Sequence, residues 1–261
     1  MNRKQFIRLV LALISLAVFA GCETNFLSTP AASGTTSKHY TYVIVHGAWG
    51  GGWDWRHVAD LLAADGNTVY RPTLSGLGEH VNLSNTNLDL DTHIQDIVNV
   101  ILWENLHDVV LVGHSYGGMV ITGVADRMPD RIKCLVYVDA LLPENGECVN
   151  AIIPPKLKQP VENGFVIPTW VKDNPPPPHD VPQPAESFSE PINLTNQIVA
   201  EKLPATYILC VEKGQSLNQA DFYRFYQRAK ARGWMTKIIE GDHNVQRSHP
   251  QELVKLLEQA R

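Results

Sequence analysis

The tightest constraint on how this chain can fold is one stretch, "DVVLVGHSYGGMVITGVADRM", residues 108–128. A short apolar run enters a turn built almost wholly of small residues and continues as a longer amphipathic stretch. The first part reads as a strand buried on both faces and the last as a helix. Gly113 and Gly117 flank Ser115, and Gly118 follows, so side chains that would collide in a tight strand-to-helix turn are absent. The rest of the chain repeats the alternation of strand and helix, which is the signature of a mostly parallel sheet covered by helices. Strands are predicted over 41–46, 67–72, 108–114, 132–139, 205–211 and 235–241, and helices over roughly 54–64, 89–104, 116–128, 218–232 and 250–260. In the last helix Leu253, Leu256 and Leu257 share one face. A length of 261 residues, 44% of them hydrophobic, suits one α/β domain with room for an insertion.

The alternation fails between about 142 and 203, where most of the chain's 17 prolines fall. Long helices are excluded from the middle of that segment. Its interleaved Ile152, Ile153, Phe165, Trp170, Phe188 and Ile192 predict something that packs: a small lid above the sheet's carboxyl edge. Open α/β sheets bind ligands at that edge.

The first 22 residues are a different kind of sequence. Arg3, Lys4 and Arg8 precede the apolar "LALISLAVFA", and "GC" follows, as in an export signal. The cysteine after Ala20-Gly21 makes it resemble a bacterial lipoprotein signal. The expectation is cleavage, a lipid on Cys22 and attachment to the cell envelope, with 23–38 as a polar tether. Cys134 and Cys210 lie in strand-like runs and read as buried thiols. With Cys148 they leave an odd number, so no disulfide framework is expected. A net charge of −5 without a basic stripe argues against nucleic acid. The ten histidines show no metal-ligand spacing, and no cofactor is implied.

Chemistry enters with "GHSYG", which fits G-x-S-x-G in the setting of strand before and helix after. That setting holds the Ser115 hydroxyl above the strand end, beside the amides that open the helix. The alternative is a small residue in a tight turn. A serine attacks a carbonyl only if a base takes its proton. His243, in the loop after the last predicted strand, is the candidate, since imidazole suits proton transfer near neutral pH. His114 is expected to point away from the turn. "VIVHGAWGGGWDW" ends the first strand in a glycine-rich bend, from which the backbone N–H of Ala48, with that of Tyr116, would hold an oxyanion. A phosphate-binding loop is disfavoured there, because both G-x-G-x-x-G and G-K-[ST] are missing.

Through "VHGAWGGGWDW", "RPTLSGLGEH", "GHSYGGMV" and "GDH", the chain from about residue 40 onward resembles the α/β-hydrolases. Within them it is similar to the group holding plant methyl-ester esterases, hydroxynitrile lyases and bacterial esterase-like relatives. The resemblance implies the α/β-hydrolase fold, a Ser-His-acid triad and a lid over the sheet. In the plant members the acid follows the strand that here reads "YILCVEKGQSLN", at the place of Lys213. Glu212 and Asp221 are the nearby carboxylates. The other family location is the end of the preceding strand, as in proteins similar to haloalkane dehalogenases, about two dozen residues past the nucleophile. Asp139 stands there and is favoured over Glu212 and Asp221.

A dehalogenase would need a carboxylate at position 115. The lyases carry a lysine after the histidine and a threonine in the oxyanion loop, where this chain has Asn244 and Gly47. The expectation is therefore a serine hydrolase acting through an acyl-enzyme on small or medium uncharged carboxylic esters, with Trp49 and Trp53 in an apolar pocket. Lactone or C–C bond hydrolysis uses the same residues. A ligand-binding protein that has kept the fold with little turnover is the rival from outside enzymology.

Overall fold

The computed structural model describes residues 39–173 and 175–260. The expected signal segment, Cys22 and the 23–38 tether lie outside the described residues. In chain order the elements are β1 (Thr41–Val45), α1 (Arg56–Ala64), β2 (Thr68–Tyr70), α2 (Leu90–Trp103), β3 (Val109–His114), α3 (Gly117–Arg127) and β4 (Ile132–Val138). There follow α4 (Val149–Ile152), β5 (Val161–Glu162), β6 (Phe165–Val166), β7 (Gln183–Pro184), α5 (Glu186–Ser189) and α6 (Gln197–Ala200). The chain closes with β8 (Ala205–Val211), α7 (Tyr223–Ala231), β9 (Met235–Glu240), α8 (Val245–Ser248) and α9 (Pro250–Gln259).

Six strands form one sheet in the order β2-β1-β3-β4-β8-β9, every neighbouring pair parallel. Because β3 lies between β1 and β4, the turn after it opens at the centre of the sheet's carboxyl edge. Alternation along β1 explains why its run is apolar throughout. Val43 and Val45 face one helical layer while Tyr42 and Ile44 face the other, with Trp55, Val58 and Leu253. Each such fully buried side chain stabilises the fold by roughly 1.5–3 kcal/mol. Cys134 and Cys210 are buried, and the three described cysteines are free thiols.

Two expected elements are shorter in the structure. The strand expected over 67–72 pairs only over Thr68–Tyr70, at the sheet edge, since Pro72 has no N–H to give a ladder. The helix expected from 218 begins at Tyr223. Ser216 and Gln219 form a capping box that closes a separate turn over Leu217–Gln219. Asp221 therefore precedes the helix rather than lying in it, and pairs with Lys156.

Residues 142–203 hold a three-stranded antiparallel sheet, β5-β6-β7, and the short helices α4 to α6. Trp49 ties this insertion to the bend after β1 at three points. Its N–H donates to Gln183 Oε1 at 2.9 Å, its Nε1–H to the Val166 carbonyl at 3.0 Å, and its carbonyl accepts the Val181 N–H at 2.9 Å. Elsewhere Asp126 of α3 accepts the Thr195 and Asn196 amides, and Arg228 of α7 grips Glu147 at 2.6 Å.

Candidate active site

Ser115 sits between the end of β3 and the start of α3 with φ at +53°, in the left-handed region. A non-glycine residue rarely adopts that conformation, and surrounding contacts must hold it there. The Ser115 N–H reaches the Val138 carbonyl at 3.3 Å, and its own carbonyl accepts from Leu141 N–H at 2.9 Å. The turn is thereby fastened to the end of β4. Glycine is required beside it: a Cβ on Gly118 would lie 2.0 Å from the Leu141 carbonyl oxygen, and one on Gly117 2.6 Å from that of Val45.

The loop after β9 brings His243 to the same point. Its Nε2 lies 2.9 Å from Ser115 Oγ and its Nδ1 2.6 Å from Asp139 Oδ2. A carboxylate only accepts, so Nδ1 carries the proton and Nε2 is left to accept from the serine hydroxyl. Asp139 follows β4 at φ +43°, and its other oxygen accepts the Cys210 N–H at 3.1 Å. Burial pushes the Asp139 carboxyl above the usual carboxylate range, opposed by the bonds from His243 and Cys210. Of the three carboxylates weighed from the sequence, the structure brings Asp139 to His243. Asp221 is engaged by Lys156, and Glu212 is exposed, its N–H bonded to Gln215.

His114 departs from expectation. Rather than pointing away, it packs 4.7 Å from the His243 ring and donates from Nε2 to the His243 carbonyl at 2.8 Å. The short loop between β9 and α8 leaves that carbonyl facing the end of β3, and His114 supplies its donor. Burial, with His243 alongside, pushes its pKa well below the ordinary histidine value, so it stands neutral. Phe222 stacks on His243 from another side, 4.8 Å away and within 7° of parallel.

The bend after β1 is held by His46, whose Nδ1–H donates to the Gly47 carbonyl at 2.7 Å while Nε2 accepts Leu74 N–H at 3.1 Å. Both nitrogens are used by the neutral ring, and burial lowers its pKa to about 4. Gly47 passes so close to Ser115 that a Cβ there would lie 3.1 Å from Ser115 Cβ. Ala48 and Tyr116 then flank Ser115 in the wall of one cavity, and neither N–H donates to another backbone group among the described residues. Tyr116 itself is fixed from behind. Its hydroxyl donates to His93 Nδ1 at 2.8 Å, and His93 Nε2–H donates to the Ser75 carbonyl at 3.0 Å.

The cavity over Ser115 has a volume of about 350 Å³. Trp49, Leu141, Val149, Ile153, Phe188 and Phe222 give it an apolar wall, partly from the insertion. Asp54, Asp180 and Arg247 form a polar corner. Trp53, expected beside Trp49, is not in the wall. Its ring folds back over Gly51, where a Cβ would meet it at 2.8 Å, and the Arg247 guanidinium lies 5.1 Å from its centre. Among the described residues no group of three or more His, Cys, Asp or Glu side chains is placed to hold a metal ion. A hydroxyl, a base in line with it, a buried acid behind the base and free amides beside it can together open a carbonyl by nucleophilic attack.

Residues 42–256 match the model of the alpha/beta hydrolase family. The chain belongs to that family. This alpha/beta hydrolase is 50% identical over 125 residues to a carbendazim hydrolyzing esterase of Nocardioides sp. (strain SG-4G), covering 48% of this chain and 52% of that protein. It is 34% identical over 105 residues to methylesterase 2 of Arabidopsis thaliana, 40% of either chain. The chain thus spans about half the length or less of these curated relatives. An extracellular alpha/beta-hydrolase from a Paenibacillus species superposes with a TM-score of 0.67 at 25% identity, covering 85% of this chain and 98% of that one.

Several residues of this alpha/beta hydrolase's cavity carried no usable signal in the sequence. Phe222 and Asp180 reach it from segments without a motif, and only the packing of α7 and the insertion places them. Arg247 offered a faint one, lying four residues past His243 in the short helix that follows it.

Proposed function

We propose that the protein is a serine hydrolase that cleaves carboxylic esters through an acyl-enzyme. The observation that carries the reading is the unbroken chain Ser115 Oγ, His243 Nε2, His243 Nδ1 and Asp139 Oδ2, with spacings of 2.9 and 2.6 Å, of which Ser115 and His243 line the cavity. Ser115 Oγ bonds to the ester carbonyl carbon as its proton passes to His243 Nε2. Asp139 keeps the ring in the tautomer this needs and stabilises the imidazolium. The N–H groups of Ala48 and Tyr116 hold the oxyanion, aided by the positive end of α3. As the carbon–oxygen bond to the alcohol breaks, His243 returns the proton to the leaving oxygen. Water then repeats the steps on the acyl-serine and releases the acid.

The insertion serves as the lid of this site, and the apolar wall suits small or medium uncharged esters. The named activities of the relatives support a small ester or ester-like substrate. We further propose export and attachment through a lipid on Cys22, on the strength of the basic, apolar and Gly-Cys succession at the start of the chain. The decisive experiment is turnover of short p-nitrophenyl esters, methyl esters and carbendazim, with fluorophosphonate labelling. Hydrolysis and labelling that vanish together in Ser115→Ala support the reading; full activity in that variant overturns it.

A further inference from the structure

The cavity's polar corner contains groups that ester cleavage does not use. Arg247 pairs through Nε with Asp54, a buried carboxylate that also accepts Gln246 Nε2 at 2.7 Å. Committed to Asp54 and lying over Trp53, the guanidinium stays 3.7 Å from Asp180 Oδ1, beyond hydrogen-bond reach. Asp180 is held by its other oxygen, which accepts Trp170 Nε1–H at 2.7 Å, and by the next residue, Val181, bonded to the Trp49 carbonyl. Its Oδ1 receives no hydrogen bond among the described residues and faces Gly50 of the oxyanion bend. Even a Cβ added to Gly50 would stand 3.7 Å from it. A fixed carboxylate oxygen with spare acceptor capacity thus looks into a largely apolar cavity. Two carboxylates against one guanidinium leave the corner with a net negative charge when both are ionised.

We propose that Asp180 is a specificity-determining residue, accepting a hydrogen bond from an N–H or O–H carried on the non-reacting part of the ester. The protein then selects uncharged or cationic donor-bearing esters over hydrocarbon ones and rejects those bearing a second, ionised carboxylate. The physical reason is the asymmetry of buried polar groups. A donor that meets a charged acceptor gains a strong bond, whereas an apolar group placed there leaves the Asp180 oxygen desolvated, with only the 3.7 Å ion pair to Arg247 and no hydrogen bond. A carboxylate meets like charge in a partly water-excluded corner. The proposal rests on the ester-hydrolase reading of the same site.

The test uses methyl esters of aryl acids that differ at one ring position, carrying –NH₂, –CH₃ or –COO⁻ at either the meta or the para carbon. It measures kcat/KM with the parent protein, Asp180→Leu and Asp180→Asn, and binding by calorimetry to the same chains bearing Ser115→Ala. The parent is expected to favour amino over methyl roughly tenfold or more on one ring position, and to use the carboxylate ester least. Asp180→Leu brings the amino-to-methyl ratio to about unity. Asp180→Asn, which keeps an acceptor oxygen and nearly the same shape, retains part of that ratio and loses the discrimination against carboxylate. An unchanged ratio in Asp180→Leu, or equal use of amino and methyl esters by the parent, overturns the proposal and leaves ester hydrolysis standing. If the parent cleaves none of the esters while binding still favours the amino ester through Asp180, the ester-hydrolase reading falls and the recognition stands.

Discussion

Replacing His93 by Gln should remove one separable part of this protein's sensitivity to acid. His93, on α2, is fully buried against Tyr116, and burial lowers its pKa from 6.5 to about 4. An unfolded chain has no such burial, so on acidification it takes up the proton first. The stabilisation is whole above pH 6.5 and is lost as the pH falls toward the folded value of about 4. In full the shift corresponds to roughly 3 kcal/mol, of which about 2 kcal/mol is expressed between about pH 7.5 and about pH 5. His46, lowered likewise to about 4, adds a similar amount. Asp96 and Asp180, whose carboxyls burial raises, act in the opposite sense and mask part of the loss. For that reason the measurement is a difference. Urea unfolding at the two pH values should show the parent losing about 2 kcal/mol more than His93→Gln. Gln can still donate to the Ser75 carbonyl and accept from Tyr116, so the fold is kept. Equal losses in parent and variant would refute the claim that this ring is held neutral by burial.

Other expected outcomes follow from the same geometry. Asp139→Asn should lower kcat by roughly three to four orders of magnitude, because an amide no longer selects the Nδ1–H tautomer. Glu212→Gln should leave ester turnover within about twofold, a comparison read directly from steady-state rates, since surface changes away from the site have small effects. Gly118→Ala should destabilise by at least about 2 kcal/mol in thermal or urea unfolding, since its Cβ would strike the Leu141 carbonyl at 2.0 Å and two packed elements must separate. Cys22→Ser should abolish incorporation of labelled palmitate and release the protein from the membrane fraction; continued labelling would exclude Cys22 as the lipid site.

The local order of the chain was legible because its periodicities are strong. Strands buried on both faces read as continuous apolar runs, so β1, β3, β4, β8 and β9 stand close to where sequence alone puts them. Ser115 was legible for a related reason: a tight strand-to-helix turn demands glycines, and glycines are visible in a sequence. His243 needed only a loop after the last strand. Asp139 was harder. Carboxylates near the carboxyl ends of both β4 and β8 satisfy any rule based on chain order, and the choice depends on which one meets His243 in space.

The rest belongs to tertiary structure. Trp53 and Trp49 lie in one short glycine-rich bend, yet one ring enters the cavity while the other folds back beneath Arg247. Nothing in their spacing separates them, because the direction of an aromatic ring in an irregular loop is set by what packs on it. His114 shows the same dependence, since its partner is a carbonyl far along the chain. Sequence determined the sheet, the turn and the candidates Ser115 and His243, whose requirements are local and repeat with the backbone. Which carboxylate meets His243, the cavity's polar corner and the neutral buried histidines were decided only when distant segments closed on one another, because hydrogen bonding and desolvation act between neighbours in space.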